Sequence, residues 1–328
     1  MKKTILSVAV GMASFGAFAA QGVVAPAHDA VAQSIENVEV FGKLGVSYDD
    51  FDASVASGNA DDKGIDYKRN TEIGLQTSAD LSHGLKASAV AVGNFNNADE
   101  DFRLDKVEMG VEHDLAALHF GKIDDRYDLA TGKFDQFSEV FNGTSFERYN
   151  STGKVDGVAL SASPLSGLSL ALQLGDAETG DLGDDVAVTA TYHFAGIDMA
   201  GAYRIVDKGV DADAKQDAEK FKLGAGYGFS GVYAGLVYES AKNFDKSEVE
   251  TIGLSASYKY EALTVKAGYL TDEHTAANKS KFDENTLRFA AQYDLQENVE
   301  LHAGYAKVDS DKSDRDEDLF TAGMIVRF

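Results

Sequence analysis

The chain contains no cysteine and only two prolines among its 328 residues. Without cysteine there are no disulfides, no thiolate chemistry and no cysteine-based metal sites. Pro26 and Pro164 are expected outside strands, because proline cannot donate to a strand ladder. Basic residues are also scarce, since 30 Lys+Arg stand against 54 Asp+Glu, giving a formal net charge of −24. A chain this acidic would repel nucleic acid, so no nucleic-acid partner is expected.

Long apolar runs are missing as well, apart from one near the start. Thr4 to Phe18 follows Met1-Lys2-Lys3 and ends at the small-residue triplet Ala17-Phe18-Ala19. This order is typical of a secretory signal peptide and predicts cleavage after Ala19, with Ala30-Val31-Ala32 as a weaker candidate. Beyond Ala19 no stretch approaches the roughly 18 to 20 consecutive apolar residues of a membrane-spanning helix. The sequence therefore predicts an exported protein without transmembrane helices.

What the sequence does contain is alternation. From about Glu36 to Phe328, segments of about ten residues carry apolar side chains at every second position, which predicts strands. In one such segment the apolar set is Ile252, Leu254, Ala256, Tyr258 and Tyr260, and the intervening set is Gly253, Ser255, Ser257 and Lys259. Soluble sandwiches use shorter strands of about five or six residues, whereas a tilted bilayer-crossing strand needs about nine to eleven. The pattern favours a sheet with lipid on one face.

The connections between these strands alternate in length. Short ones, such as Pro164 to Gly167 and Phe194 to Gly196, alternate with eight long polar ones, as in outer-membrane barrels with short periplasmic turns and long external loops. The long connections are Asp49 to Asp66, Asn94 to Asp101, Asp124 to Asn150, Ala177 to Asp185, Asp207 to Glu219, Asn243 to Glu248, Asp272 to Asn285 and Asp309 to Asp318.

Counting strands between these connections gives sixteen. A closed barrel of sixteen strands is too wide for side chains to fill, so a water-filled lumen is expected. The predicted fold is all-β, a transmembrane antiparallel β-barrel over residues 36–328. It would follow a signal peptide at residues 1–19 and an N-terminal periplasmic extension at residues 20–35.

The last predicted strand ends at an aromatic carboxylate. Phe320, Ala322, Met324, Val326 and Phe328 share one face of it. A C-terminal phenylalanine after such alternation resembles the signal read by the outer-membrane barrel assembly machinery, which makes that machinery an expected partner through Phe328. The alternative is simply a final strand.

Three segments together resemble the general porins of Gram-negative bacteria. They are Val38-Glu39-Val40-Phe41-Gly42-Lys43-Leu44, the stretch from Leu118 to Asp128, and the C-terminal strand. The resemblance covers nearly all of the chain after the predicted signal. It implies a homotrimer of sixteen-stranded barrels, each narrowed by a third loop folded into the lumen, with Lys43 pointing into the pore.

The third long connection, Asp124 to Asn150, is where that family places its constriction loop. Asp135 and Glu139 match the spacing at the family's loop tip, so the resemblance implies that both line the constriction. Asp128 and Glu147 are the expected neighbours. The alternative is a charged surface loop.

Opposite that loop the family usually presents a ladder of arginines, and this sequence departs from the pattern. Glu72 stands at the matching position of the second strand, and Leu104 or Asp105 stands where the fourth strand would carry arginine. The basic candidates for the pore wall are Lys43, Lys68, Lys106, Arg204, Arg288 and Arg327.

An acidic constriction with few basic partners predicts weak cation selectivity in a channel for ions and small hydrophilic solutes. The acidic external loops have an alternative role, binding divalent ions that bridge lipopolysaccharide in the outer membrane. A substrate-specific channel, for example for sugars, is the nearest rival function, and a surface receptor role of the loops stays open. An enzyme is not expected, since the sequence contains no G-x-S-x-G or H-E-x-x-H motif. No cofactor is expected.

Overall fold

A computed structural model describes residues 38–55, 58–66, 71–95, 102–141, 153–177, 181–210, 214–311 and 316–328. The predicted signal peptide and N-terminal extension lie outside these residues. One antiparallel sheet contains the strands β1 (Glu39–Val55), β2 (Gly58–Asp66), β3 (Glu72–Asp80), β4 (Lys86–Phe95), β5 (Phe102–His113), β6 (Ala116–Asp124), β7 (Lys154–Leu165), β8 (Leu168–Asp176), β9 (Asp185–Phe194), β10 (Ile197–Val206), β11 (Ala218–Phe229), β12 (Val232–Lys242), β13 (Glu248–Tyr260), β14 (Leu263–Thr275), β15 (Lys281–Gln296), β16 (Val299–Ser310) and β17 (Glu317–Arg327).

Helix is rare in the described residues. A short helix, α1 (Arg126–Gly132), follows β6, and 3₁₀ turns occupy Ser82–Gly84 and Lys208–Val210. Among the described helices, none has the length and apolar character required to cross a bilayer.

The sheet closes on itself as a barrel of sixteen strands. Strand β1 pairs with β17 from Lys43↔Arg327 to Ala53↔Glu317, so the first and last strands form the seam. On its other edge β1 pairs with β3 through residues 39–43 and with β2 through residues 47–55. Strands β2 and β3 are therefore successive parts of one barrel strand, and the predicted count of sixteen is confirmed.

Connections at one end of the barrel are tight. Six strand pairs, beginning with β5–β6 and ending with β15–β16, are joined by two residues each. In the β9–β10 and β11–β12 turns both central residues have positive φ, 50° at Ala195, 81° at Gly196, 50° at Ser230 and 83° at Gly231. Such type I′ turns match the right-handed twist of the flanking strands.

At the other end several strands run further than the sequence predicted. Strands β1 and β2 continue as a hairpin to Val55↔Gly58, inside the predicted long connection Asp49 to Asp66. Likewise β14 and β15 extend to Thr275 and from Lys281, so the connection between them is residues 276–280. The prediction ended each strand where apolar alternation faded, but the backbone ladder requires only paired N–H and C=O groups.

Pro164 was expected outside the strands and instead lies within β7. The pairing of β7 with β8 shifts register between Ala162 and Leu165, so Pro164 falls at the irregularity where no ladder bond is required of it. Pro26 lies outside the described residues.

The two faces of the barrel differ in chemistry. Along β13, Ile252, Leu254 and Tyr258 are exposed on the outer face, while Thr251 and Ser255 are buried on the inner one. Outward aromatic side chains gather towards both ends, as in the girdles of membrane barrels. Those towards the tight turns are Phe194, Tyr227, Phe229, Tyr258, Tyr260 and Tyr293, and those towards the long loops are Tyr48, Tyr203, Phe221, Tyr269, Tyr305 and Phe320.

Candidate functional site

The connection between β6 and β7 turns inward, and its described part, residues 125–141, is called the inner loop below. It starts with α1, whose N-cap Asp125 accepts a hydrogen bond from the backbone N–H of Tyr127 at 2.8 Å. Aspartate is favoured at this position because the first helical N–H groups have no partner within the helix. The backbone N–H of Arg126 donates to the side chain of Gln173 on β8 at 2.8 Å, which fixes the helix start against the wall.

The inner loop packs its aromatic side chains onto the inner face of the barrel. Phe134 contacts Ala200, Val237 and Leu270, while Phe137 and Phe141 pack with Ala290, Ala306, Val308 and Leu319. Phe134, Phe137 and Phe141 are at most 2% exposed. These contacts form a hydrophobic core inside the barrel, between the loop and strands β10 to β17.

Glycines on the inner face make room for these rings. A Cβ added at Gly224 would lie 2.3 Å from Cε2 of Phe134, and one at Gly268 would lie 2.5 Å from Cε2 of Phe137. At Gly304 an added Cβ would lie 2.5 Å from Cγ1 of Val140. Strands β11, β14 and β16 can therefore accept the loop only because these positions have no side chain.

A buried ion pair holds the middle of the loop. Arg288 on β15 donates to the carboxylate of Asp135 at 3.0 Å, and the guanidinium lies over the Phe137 ring with 4.5 Å to its centroid. The two charged side chains are 2% and 0% exposed. Asp135 was expected to line the constriction and Arg288 the pore wall, but the structure buries both side chains between the loop and the wall.

Ion pairs also fasten α1. Arg204 bonds Asp125 at 2.7 Å and also pairs with Asp185, while Lys222 bonds Asp128 at 3.0 Å and lies 3.7 Å from Glu239. Burial and the neighbouring Asp128 raise the pKa of Asp125 in spite of Arg204. Asp128, expected near the constriction, thus anchors the helix to β11.

The end of the loop borders the open lumen. Glu139 pairs with Arg327 on β17, and their side chains are 37% and 35% exposed. Arg327 also lies 3.3 Å from Glu300 on β16. Burial alone would raise the pKa of the Glu139 carboxyl, but the hydrogen bond and charge of Arg327 outweigh it and hold that pKa below its usual range.

Across the lumen, the wall formed by β1, β3 and β5 to β7 carries a second set of charges. Lys43 lies 3.8 Å from Glu72. Lys106 bonds Asp124 at 2.6 Å and Glu108 at 3.0 Å. Lys154 bonds the same Asp124 at 2.9 Å and lies 3.7 Å from Asp105. A register shift opposite Lys106 and Leu104 lets Asp105 and Lys106 both contact lumenal partners.

The sequence missed several lumenal cations. Lys222, Lys154 and Lys266 were not among the basic candidates, although strand alternation could have found Lys222, which lies between the outward Phe221 and Leu223. Lys68 and Glu147, predicted for the pore wall and the constriction, lie outside the described residues.

In these ion clusters each basic side chain is shared between two carboxylates. Each of five lumenal cations, Lys106, Lys154, Arg204, Lys222 and Arg327, lies within 4 Å of two carboxylates, and Asp124 serves two of them. Nine carboxylates therefore surround five basic groups. The lumenal clusters carry an excess of negative charge when all these groups are ionised.

One group of side chains in the described residues has the arrangement of metal ligands. Ligand atoms of Asp272, His274 and Glu284 all lie within 4.8 Å of one another on the lumenal face of β14 and β15. His274 lies 3.2 Å from Glu284 and stacks on Phe282, which already gives the ring two contacts.

Known proteins share this architecture. The profile of the family described as Gram-negative porin matches residues 7–313. No curated protein matches the chain by sequence.

Three solved structures illustrate the likeness of fold. A loop L8 deletion mutant of OmpT, an outer membrane protein of Vibrio cholerae, aligns with a TM-score of 0.73 at 14% identity, covering 89% of this chain and 99% of that one. An anion-selective porin from Comamonas acidovorans gives 0.72 at 15% identity over 89% and 99%. Salmonella typhi OmpF in complex with daunomycin gives 0.69 at 15% identity over 89% and 97%.

Proposed function

Because the chain belongs to the Gram-negative porin family, we propose that its barrel is a weakly cation-selective channel for ions and small hydrophilic solutes. Family and fold together indicate an outer-membrane channel for solutes and not an enzyme. The preference for cations over anions is proposed here in addition to what family and fold indicate.

The observation that supports cation selectivity is the sharing of basic groups in the lumen. In the clusters of Lys106, Lys154 and Arg327, which border the open lumen, five carboxylates surround three cations. Excess negative charge along a water-filled path raises the local concentration of cations and repels anions. Mobile salt screens this field over about 10 Å at 0.1 M, so the preference is weak and falls as salt rises.

One of the similar structures is an anion-selective porin from Comamonas acidovorans. Selectivity depends on individual lumenal side chains, which 15% identity does not preserve. The likeness therefore extends to the barrel, and the charge balance of this chain decides its own selectivity.

The test is the reversal potential of the purified protein in planar bilayers under a KCl gradient. We expect a potential of the sign given by preferred K⁺ movement, shrinking when both solutions are made more concentrated at the same ratio. A potential of the opposite sign would overturn the proposal. A protein that inserts and gives no conductance would overturn channel function itself.

We further propose a homotrimer, since OmpT of Vibrio cholerae is described in a trimer form and has the same fold. Chemical cross-linking in mild detergent should yield a species of three chains, and a protein that stays monomeric would reject the trimer.

We propose two further partners. The acidic loops would contact lipopolysaccharide, and Phe328 would contact the assembly machinery. The backbone of Phe328 pairs with Gly42 at the barrel seam, so its role in recognition would precede closure.

A further inference from the structure

A polar cavity of about 550 Å³ lies between the inner loop and the wall, in the half of the lumen nearer the tight turns. The loop contributes Lys133, Asp135, Gln136 and Glu139, and the wall contributes Lys259, Lys266, Gln292, Asp294 and Glu300 from β13 to β16. Lys133, Asp135 and Lys259 are already paired with Asp198, Arg288 and Asp294. We propose that this cavity is a binding subsite for small zwitterions, molecules that carry an ammonium and a carboxylate group, such as α-amino acids. The inference deepens the proposed channel function and rests on it.

Lys266 supplies the positive side of the cavity. It points to the lumen from β14, between Thr264 and Gly268, and is half-buried. In the described part of the chain it makes no hydrogen bond and no ion pair within 4 Å, unlike the five shared cations. A partly desolvated ammonium gains strongly from a carboxylate that binds to it, because charge-assisted hydrogen bonds are about twice as strong as neutral ones.

Glu300 supplies the negative side. One of its oxygens accepts a hydrogen bond from the Gln292 side chain at 2.7 Å, and the other lies 3.3 Å from Arg327. Arg327 also pairs with Glu139, so the two carboxylates share one guanidinium. Carboxylates around a shared cation can still accept a hydrogen bond from a visiting ammonium group.

Together, the positive and negative sides of the cavity favour solutes that carry both charges. A simple anion that binds Lys266 meets Glu139 and Glu300 across the cavity, and a simple cation that binds Glu300 meets Lys266. A zwitterion can place each group against its opposite charge. An uncharged sugar fits the cavity but gains neither charge-assisted contact, so it should cross without binding there.

The experiment compares tracer flux of L-serine and of arabinose into proteoliposomes over a range of concentrations. We expect the serine flux to saturate, because solute occupies the subsite, while the arabinose flux rises linearly. In K266Q the serine flux should lose its saturation and fall several-fold at low concentration, and K266R should restore both features. The matched control is K242Q, which removes a lysine charge at the outer end of β12, where Lys242 is exposed beside Glu219.

The outcomes separate the two proposals. Linear serine flux in the wild-type protein, or equal serine fluxes in K266Q and K242Q, would overturn the subsite while leaving the arabinose flux as proof of a channel. If arabinose itself failed to cross, the channel function would be at fault. Arabinose flux in K266Q also reports folding, since a misassembled variant would lose it.

Discussion

The inner faces of β9 to β17 and of β1 to β7 belong to one barrel but are built differently. The first, called the covered wall, lies under the inner loop and presents glycine and alanine, with a buried pair between Arg288 and Asp135. The second, called the open wall, presents clusters of charged side chains, such as that of Lys106, Glu108 and Asp124, which are partly exposed. The covered wall fixes the loop. The permeating solute meets the open wall, the loop's free edge at Glu139, and the part of β14 to β16 beside that edge which carries Lys266 and Glu300.

This contrast shows that facing the lumen does not by itself place a residue in the pore. Arg288 and Lys106 both point inward, yet only Lys106 is reached by water, because the loop covers Arg288. Changes on the covered wall should therefore alter the position of the loop, and changes at the open surfaces should alter ion preference.

The largest effect is expected when the buried pair is broken. R288A leaves the Asp135 carboxylate buried without its cation, which costs about 3 to 5 kcal/mol, so the loop should leave the covered wall. Single-channel recordings should show a changed and noisier open-channel current. The double variant R288M/D135L replaces the pair with apolar side chains and should recover a quiet current, because such replacements are often neutral. If the open-channel current of R288A were as quiet as that of the wild-type protein, the proposed role of the pair would be contradicted.

A smaller effect is expected from filling one of the glycine positions. G268A places a Cβ 2.5 Å from Cε2 of Phe137, and overpacking of this kind costs about 1 to 3 kcal/mol. The thermal unfolding temperature, followed by circular dichroism in detergent, should fall and current noise should rise. The control is G201A, where the nearest neighbour of the added Cβ is Cδ2 of Leu223 at 3.5 Å. Equal unfolding temperatures and equal current noise in G268A and G201A would argue against close packing of the loop at Gly268.

The smallest effect is expected at the loop's free edge. E139Q removes one lumenal negative charge and leaves Arg327 paired with Glu300 alone, so cation preference in reversal-potential measurements should decrease. Because the pKa of Glu139 lies below its usual range, the carboxylate keeps its charge above that lowered pKa, and the difference from wild type should persist at pH 5. E219Q, which alters an exposed carboxylate beside Lys242, should change the potential less. A difference that vanishes at pH 5 would contradict the lowered pKa, because even a carboxyl with the usual pKa of 4.5 stays mostly ionised there.

The barrel itself could be predicted from the sequence because lipid imposes a strict alternation. Outward residues such as Leu254 and Tyr258 must be apolar, so a period of two identifies each strand and the count follows. The strand ends were less accurate, as at Thr275 and Lys281, because pairing continues above the membrane where no such constraint acts. Pro164 was misplaced because a local shift in register accommodates it.

The site was harder to predict because a loop has no repeating geometry. Spacing alone treated Asp135 and Glu139 alike, although one is buried and the other borders the lumen. What separates them is Arg288, 153 residues away from Asp135 in the chain and brought to it only by the closed barrel. Lys222, by contrast, lies on a regular strand, where alternation carries enough information to place it inside.

The seam between β1 and β17 has a consequence for the order of assembly. Other neighbouring strands are mostly adjacent in sequence and can pair as local hairpins, but this pair joins residues 43–53 to residues 317–327. Until β17 is in place, β1 and β16 both keep an edge of unpaired N–H and C=O groups, each costing several kcal/mol in hydrocarbon. Release into the bilayer must therefore wait for the final strand, and a chain stalled before it would need a protein surface to shield both edges.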